Sequence, residues 1–358
     1  MNDSDLNMEL EMYHSEYAKA KKMLSADCKL CNGINNDGSK LVFFLGAGIN
    51  GRAMLWDSII KTPLKKAVKR FCYEHNIGDI CIEKENWTST LQASIVKHIS
   101  KTAYINQLRD FIYSGVGPTK DKIRELITNI EENTDFSKDY YSLYALAKII
   151  VENKNVIAVV TQNYDKFLTY AIDEYAKRHK VKIKCEEVYG SSYGDEKDAK
   201  WRYLSGYSNT ETDNRRVLPI LHVHGYLAPY DELQNNLTGD EIVMTDEEFY
   251  SLAKDNYSWI TTSQLHFLNH YTCIFAGLSL TDQTSQRMLH FVNKSGDLTH
   301  NKYYLTAHPW NNGLNSQDVR INYLKSSIYK ELGMTTVMSV DGYFELFKDI
   351  TDCMINNK

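Results

Sequence analysis

The sequence lacks any run of about 18 apolar residues, the length that a membrane-spanning helix needs. Its first residues, MNDSDLNMELEMYHSEY, are polar and acidic and contain no apolar core of a signal peptide. The net charge of the 358-residue chain is -5 at pH 7, so no overall positive field attracts nucleic acid. We therefore expect a cytoplasmic protein that neither enters a membrane nor binds nucleic acid directly.

The sequence also lacks the cysteine pattern of a structural zinc site. Its seven cysteines are spread over the whole chain, and their odd number is typical of reduced thiols in a cytoplasm. Cys28 and Cys31 form one C-x-x-C, but no second such pair supplies the remaining two ligands of a tetrahedral site. We expect no zinc here, and the pair is either redox-active or two incidental thiols.

No internal repeat or low-complexity linker divides the chain. Residues 1–40 are predicted to form a peripheral helical arm and a turn-rich linker, and residues 41–358 a single domain. Residues 57–150 show helical patterns without a convincing strand, which predicts a helical subdomain inserted after the first strand. Residues 190–217 are predicted to form a long loop or a small flap.

Short apolar runs with β-branched or aromatic residues recur between helical patterns. Continuous apolarity is typical of strands that are buried on both faces of a parallel sheet. The predicted strands are 41–45, 156–161, 218–223, 272–276, 302–306 and 335–339, and the clearest helices are 140–153, 164–179 and 282–293. This alternation predicts an α/β fold, a Rossmann-like doubly wound parallel sheet with the inserted helical subdomain.

Glycines and small polar residues follow four of the predicted strands. In open parallel sheets, ligands bind outside the carboxyl ends of the strands. The four segments are Gly46-Ala47-Gly48-Ile49-Asn50-Gly51, Thr161-Gln162-Asn163-Tyr164-Asp165, His224-Gly225 and Gly277-Leu278-Ser279-Leu280-Thr281-Asp282. We expect them to line one cleft.

The first segment spells G-x-G-x-x-G, whose glycines permit a sharp turn and a close approach of backbone N–H groups to a pyrophosphate. The dehydrogenase form of this motif also needs an acidic residue about 20 positions later, to hold a ribose hydroxyl. Residues 64–71, LKKAVKRF, are basic and apolar instead. The sequence therefore does not favour a dehydrogenase that transfers hydride. If the motif binds no nucleotide, its glycines serve only to pack the turn between strand and loop.

Taken in order, these motifs resemble the sirtuin (silent information regulator) family. The stretches HVHGYL, VMTDEEFY and FAGLSLTD are most similar to the sirtuin-like domains of bacterial antiphage defence proteins. The chain departs from protein-deacylating sirtuins in two ways. GRAMLWDSI replaces their Gly-Ile-Pro-Asp-Phe-Arg-like segment. Their four-cysteine zinc module is absent, because only Cys273 and Cys353 follow His224. The defence branch shares both departures, and its members are NAD⁺ glycohydrolases.

The resemblance implies that NAD⁺ is a substrate, not a recycled cofactor. Cleavage of the nicotinamide–ribose bond passes through an oxocarbenium-like state, as glycoside hydrolysis does. Asn163 is expected to position a water or a ribose hydroxyl, and His224 to accept a proton. His222 is expected to be a hydrogen-bonded packing residue. Asp165 either binds the nicotinamide carboxamide, braces its loop or caps the following helix.

The remaining candidate residues are expected to hold the rest of NAD⁺. The backbone of Gly46, Ala47 and Gly48 would cradle the pyrophosphate, and Ser279 would contact the adenosine side. Asp282 is a ribose ligand or a helix N-cap. Asn50, Thr161, Gln162 and Gly277 belong to the same motifs and complete the predicted NAD-binding set.

Such an activity would poison its own cell if unregulated. The resemblance therefore implies control by homo-oligomerisation or by a protein partner, an ATPase or an infection sensor, in antiviral defence by NAD depletion (abortive infection). Two other functions stay open: an NAD-dependent protein deacylase or ADP-ribosyltransferase, and a non-catalytic module that senses NAD⁺ or ADP-ribose.

Overall fold

One seven-stranded, all-parallel sheet organises the protein. A computed structural model describes residues 3–30, 40–50, 56–76, 99, 101–132, 138, 140–189, 215–233, 242–243, 248, 254, 258–280, 283–294, 300–307 and 316–355. The strands are β1 (Leu41–Leu45), β2 (Val156–Thr161), β3 (Ile183–Val188), β4 (Arg216–His222), β5 (Thr272–Ala276), β6 (Lys302–Ala307) and β7 (Thr335–Ser339). Their spatial order is β3-β4-β2-β1-β5-β6-β7.

Helices precede and follow the strands. The α-helices are α1 (Asp3–Leu30), α2 (Trp56–Glu74), α3 (Lys101–Asp110), α4 (Lys120–Glu131), α5 (Tyr141–Glu152), α6 (Phe167–Arg178), α7 (Tyr230–Leu233), α8 (Trp259–His270), α9 (Gln283–Lys294), α10 (Ser316–Glu331) and α11 (Tyr343–Ile355). A 3₁₀ turn covers Ala47–Asn50, and a π-helix covers Phe111–Val116. Among the described residues, no helix is both long and apolar enough to cross a membrane.

The sheet has a hydrophobic layer on each face. Side chains alternate between the two faces of a strand, so Phe43 and Leu45 of β1 join one buried cluster while Val42 and Phe44 join the other. All five residues of β1 are buried. The Phe44 ring stacks on that of Phe275 in β5, with ring centroids 4.7 Å apart. This two-sided burial explains the continuous apolarity of the strand sequences.

The structure confirms the predicted doubly wound α/β sheet and its six predicted strands, and adds β3. The strand β3 escaped prediction because Lys184, Glu186 and Glu187 interrupt its apolar pattern. It lies at the edge of the sheet and, among the described residues, pairs only with β4, and its side chains are mostly half-buried. The predicted helices 140–153, 164–179 and 282–293 are confirmed as α5, α6 and α9.

The described residues between β1 and β2 are helical, without a strand among them. Leu64 of α2, Leu108 of α3 and Ile127 of α4 are buried in the same cluster as one face of the sheet. These helices therefore share the main core, and their treatment as an inserted subdomain stays a prediction. Of the predicted loop at 190–217, residues 190–214 lie outside the described part of the chain.

The N-terminal helix is not peripheral, contrary to expectation. Leu24 of α1 is fully buried in the main core, and the helix packs against β7 and α11. The Tyr17 hydroxyl and the Lys21 ammonium donate to Asp349 Oδ2 at 3.0 and 3.1 Å. Asp27 accepts a hydrogen bond from the Tyr303 hydroxyl. The segment is mostly polar, so its few buried residues did not indicate that the helix packs on the core.

Candidate functional site

Backbone hydrogen bonds join the segments that follow four neighbouring strands. The Gly46 N–H donates to Ala276 O at 3.0 Å, which ties the β1 turn to the end of β5. The Gln162 N–H donates to Leu45 O at 2.9 Å, and the Val223 N–H donates to Thr161 O at 3.0 Å. The ends of β5, β1, β2 and β4 thus form one continuous edge. The four predicted motifs begin at this edge.

The strand order reverses at β1. After β1 the chain builds β2, β3 and β4 on one side, and then returns to place β5, β6 and β7 on the other side. Such a reversal leaves a crevice outside the carboxyl ends of the strands, where open α/β sheets bind their ligands. The turn after β1 and the turn after β5 flank this point, and each contains candidate site residues.

These two turns touch through glycines. A Cβ atom on Gly46 would lie 2.6 Å from Gly277 O, and one on Gly277 would lie 2.6 Å from the Ile49 nitrogen. Gly277 also has φ +67°, a conformation that side chains disfavour. The N–H groups of Gly46 and Gly48 donate to backbone carbonyls of Ala276 and Gly277. The packing role of the glycines is therefore visible, and the pyrophosphate cradle stays a prediction.

A small polar cavity lies beside the turns after β1 and β2. Its volume is about 10 Å³, roughly the space that one water molecule needs. Asn50, Asn163 and Asp165 line it and are each at least nine-tenths buried. The other lining residues are Ile49, Thr161, Leu168, Thr169, Glu187, Ile220 and His222. Four predicted site residues therefore meet here: Asn50, Thr161, Asn163 and Asp165.

Three hydrogen bonds fix Asn163. Its backbone N–H donates to Thr161 Oγ1 at 3.1 Å, and its backbone carbonyl lies 2.8 Å from His222 Nδ1. Its side-chain Nδ2 donates to Gly46 O at 3.2 Å. The last contact orients the carboxamide, because the amide nitrogen must face the carbonyl and the amide oxygen then faces away from it.

Asp165 and Asn50 form a buried pair across the cavity wall. Asn50 Nδ2 donates to Asp165 Oδ2 at 2.6 Å, and the Phe167 N–H at the start of α6 donates to Asp165 Oδ1 at 3.1 Å. Asp165 thus braces its loop, one of the roles expected from the sequence. Asn50 Oδ1 is buried without a hydrogen-bond partner among the described residues, which leaves an acceptor for water or a ligand.

Burial raises the pKa of Asp165 to about 6. Removal from water disfavours the charged carboxylate, and this effect is the largest one. The hydrogen bond from Phe167, the positive charge of His222 and the hydrogen bond from Asn50 oppose it. Ionised Asp165 is therefore costly at neutral pH, as is common for carboxylates in functional sites.

The two histidines occupy different surroundings. Strand β4 ends at His222, which is 1% exposed and hydrogen-bonded through both ring nitrogens, so the prediction of a hydrogen-bonded packing residue is confirmed. The chain then turns, since Gly225 has φ +94° and donates its N–H to His222 O at 3.1 Å. His224 is therefore half-buried in the turn. Residues two positions apart share a face only within a regular strand. Because β4 ends at His222, this relation does not extend to His224.

His224 nevertheless lies at the same edge as Asn163. Thr161 and His222 are paired residues of neighbouring parallel strands, and Asn163 and His224 each follow two positions later. The His224 carbonyl accepts a hydrogen bond from the Val243 N–H at 2.8 Å, and the Leu227 N–H donates to Tyr164 O at 2.8 Å. These contacts brace the two loops. The catalytic role of His224 stays a prediction.

The remaining predicted residues lie farther along the edge. Gln162 Nε2 donates to Ser285 Oγ of α9 at 3.3 Å. Ser279 is exposed, and its carbonyl accepts a hydrogen bond from the Tyr329 hydroxyl at 3.2 Å. Ala47 is half-buried in the 3₁₀ turn. Gly51 and Asp282 lie outside the described residues.

Sequence reasoning missed Glu187 and Thr169 as parts of the site. Glu187 lies in β3, the strand that was not predicted, and it lines the cavity together with Thr169 of α6. The Thr169 hydroxyl donates to Glu187 Oε1. The stretch IKCEEV could have been recognised as an edge strand that contains the adjacent pair Glu186 and Glu187. Because successive side chains of a strand point to opposite faces, one glutamate of such a pair points inward.

Within the described part of the chain, no group of three or more His, Cys, Asp or Glu side chains is placed to hold a metal ion. Cys31 lies outside that part, and the side chain of Cys28 is not described. The expected absence of zinc therefore stays a prediction.

A doubly wound parallel sheet with polar groups at its switch point defines a class of nucleotide-binding α/β proteins. Comparison with protein families narrows the class: residues 157–329 match the family model of the SIR2-like domain. This match, which covers just under half of the chain, confirms the sirtuin-like resemblance for the matched residues. The matched segment runs from β2 into α10. The match indicates an activity related to NAD. No curated protein matches the chain significantly.

We expect Gly277→Ala to destabilise the protein by about 2–4 kcal/mol, because a left-handed φ costs about 1–2 kcal/mol and the new Cβ overlaps the β1 turn. Gly115→Ala is the matched control, since its Cβ would meet no atom closer than 3.5 Å. Urea unfolding of both variants measures the difference. Equal stabilities would show that the glycine contact does not constrain the turns.

Asp165→Asn should stabilise the protein at neutral pH. The pKa in the folded state, about 6, lies above the ordinary value of 3.8, so the folded protein binds the proton more tightly. Stability therefore falls as the pH rises from about 4 to about 6, by roughly 3 kcal/mol at most. The amide variant removes this loss, and Asn50 can turn its amide to keep the hydrogen bond.

Unfolding free energies of Asp165→Asn and wild type, measured at pH 4 and at pH 7, test this expectation. The advantage of the variant should grow between the two values. The exposed Asp121, which pairs with Arg124 at 2.9 Å on the surface, supplies the control Asp121→Asn. A difference that stays constant with pH for Asp165→Asn would contradict the raised pKa.

Proposed function

We propose that this protein is an NAD⁺ glycohydrolase, which hydrolyses the nicotinamide–ribose bond to nicotinamide and ADP-ribose or an isomer of it. The observation that carries the proposal is the meeting of Asn163, Asp165 and Asn50 in one cavity at the switch point of a SIR2-like domain. SIR2-like domains act on NAD⁺, and we assign the Asn163 amide and the Asp165 carboxylate to the nicotinamide end of this substrate.

Hydrolysis of the nicotinamide–ribose bond requires mainly that the protein position the substrate and the attacking water. Nicotinamide leaves as a neutral molecule from a cationic ring nitrogen, so no acid is needed to assist it. The oxocarbenium-like state needs a water held on the open face of the ribose carbon. Asn163 is the proposed holder of that water or of a ribose hydroxyl, since its carboxamide is already oriented by Gly46 O. The cavity beside it has about the volume of one water.

His224 is the proposed proton acceptor. A histidine exchanges protons near neutral pH, and His224 follows the strand next to the one that leads to Asn163. Deprotonation of the water or of a ribose hydroxyl would then accompany attack. His224 is half-buried, and we propose that its side chain contacts a substrate in the crevice.

The rest of the dinucleotide is proposed to lie along the sheet edge toward β5. Asp165 and the unpaired Asn50 Oδ1 can accept hydrogen bonds from a carboxamide or a hydroxyl group. We assign the turn of Gly46, Ala47 and Gly48 to the pyrophosphate, Thr161 and Gln162 to the ribose, and Gly277, Ser279 and Asp282 to the adenosine half. In this arrangement each predicted NAD-binding residue has a role.

The biological role that the resemblance suggests is antiviral defence by NAD depletion. We propose that a homo-oligomeric state or a protein partner, an ATPase or infection sensor, keeps the activity low until it is needed. NAD⁺ consumption by an unregulated enzyme would harm the cell that makes it, which supports this part of the proposal.

Nicotinamide release from NAD⁺ by wild type, Asn163→Ala and His224→Ala tests the proposal. Each substitution should lower the rate about 100-fold or more, because positioning and proton transfer each contribute about that much. Asn293→Ala and His75→Ala, which remove surface side chains of α9 and of the end of α2, should leave the rate unchanged. Several protein concentrations should be assayed, so that an activity that depends on assembly is detected.

Two outcomes would contradict the proposal. Tight NAD⁺ binding without turnover at every protein concentration would favour a sensing module. Nicotinamide release that requires an acyl-lysine peptide or a protein acceptor would favour a deacylase or an ADP-ribosyltransferase.

A further inference from the structure

His222 bridges the backbone of Asn163 to a buried carboxylate. Its Nδ1 lies 2.8 Å from Asn163 O, and its Nε2 lies 2.7 Å from Glu187 Oε2. The side chains of His222 and Glu187 are 1% and 10% exposed. Both ring nitrogens therefore face acceptor oxygens in a nearly dry environment.

The two acceptors determine where the protons are. A carbonyl oxygen can only accept, so Nδ1 must carry a hydrogen. Glu187 Oε1 already accepts the Thr169 hydroxyl. The short Nε2–Oε2 contact must hold a proton as well, because two lone pairs would otherwise face each other. That proton lies on either Nε2 or Oε2, and in both cases the unit is neutral overall, which avoids the large desolvation cost of a buried net charge.

The neighbouring elements hold this unit firmly. Glu187 lies in β3, His222 ends β4, and Thr169 lies in α6. The Tyr226 ring packs against the His222 ring, with centroids 4.8 Å apart. Asn163 lies in the loop after β2, and His222 holds this loop by the Asn163 carbonyl.

We propose that Glu187 and His222 are positioning residues for Asn163, an inference that rests on the proposed NAD⁺ hydrolysis. The His222 imidazole donates from Nδ1 to the Asn163 backbone carbonyl, while Gly46 O orients the side-chain carboxamide of the same residue. Glu187 keeps the imidazole in the form that donates from Nδ1. Neither residue needs to touch the substrate, since they act through the placement of one amide.

His222→Phe keeps a ring of similar size but removes both hydrogen bonds. We expect its kcat for nicotinamide release to fall about 10- to 100-fold with little change in KM, because a misplaced reacting group lowers the rate more than the affinity. His222→Asn can still donate to the Asn163 carbonyl and should recover part of the loss. Glu187→Gln can donate to Nε2 of a neutral imidazole and should cost less than His222→Phe.

The chain offers a matched control. His179 Nε2 lies 2.8 Å from Glu131 Oε1 at the surface, where the two side chains are 44% and 18% exposed. His179→Phe removes a histidine–glutamate pair of similar length, but far from Asn163 in the fold. It should leave both kcat and KM unchanged.

A double-mutant cycle separates positioning from general damage. If His222 acts through Asn163, then His222→Phe should cause no further loss of rate in an Asn163→Ala background. Fully additive losses would overturn the proposal, as would an unchanged kcat in His222→Phe or a change confined to KM.

Nitrogen NMR of ¹⁵N-histidine-labelled protein supplies a readout that does not depend on activity. Both wild type and Glu187→Gln should show a hydrogen on Nδ1 of His222, the nitrogen that faces the Asn163 carbonyl. A wild-type ring protonated only at Nε2 would overturn the proposal even if hydrolysis is observed. If no hydrolysis is observed, but the NMR result is as expected, the function fails while the paired histidine stands. Should His222→Phe fail to fold, His222→Asn and Glu187→Gln carry the same test.

Discussion

The direct contact of two backbone turns at the switch point constrains the rest of this site. Gly46 and Gly277 approach so closely that neither has room for a Cβ atom. The contact brings the end of β5 against the end of β1, and hydrogen bonds from β1 to β2 and from β2 to β4 continue the edge. Gly46 O then orients Asn163. A backbone feature without side chains thus sets the position of the amide on which the proposed chemistry depends.

Beyond this contact, the site consists of polar groups that are buried at a cost. Asp165, Glu187 and His222 are buried or nearly so, and Asn50 keeps an unsatisfied oxygen. A core optimised for stability would replace such groups with apolar side chains, since buried polar atoms and charges lose their hydration. Their concentration around one cavity indicates function, because functional sites are where proteins tolerate such costs.

The sequence predicted the frame of this site and the order of its loops. Strands such as LVFFL can be recognised in the sequence because burial of both faces makes them continuously apolar. The residues that follow these strands can then be assigned to one edge of the sheet. Asn163 and Asp165 were found in this way. Glu187 was not, because an edge strand has a mixed polar pattern that resembles a loop. The buried face of α1 was missed for a similar reason, since few apolar residues in a charged helix carry its packing.

Local geometry at the end of β4 could not be predicted either. The reversal at Val223 and His224 depends on Gly225 and on contacts with Ile242 and Val243, which are distant in sequence. Only His222 lies in the strand, and His224 lies in the turn that follows it. The pairing of both His222 nitrogens required the positions of Asn163 and Glu187, which only the folded chain supplies.

The most direct test of this account is the structure of the His224→Ala variant with NAD⁺ bound. We predict that the nicotinamide-bearing ribose lies within hydrogen-bonding distance of the Asn163 carboxamide, and that the adenosine half extends toward Ser279. A dinucleotide bound elsewhere, or one whose nicotinamide end points away from Asn163, would contradict it.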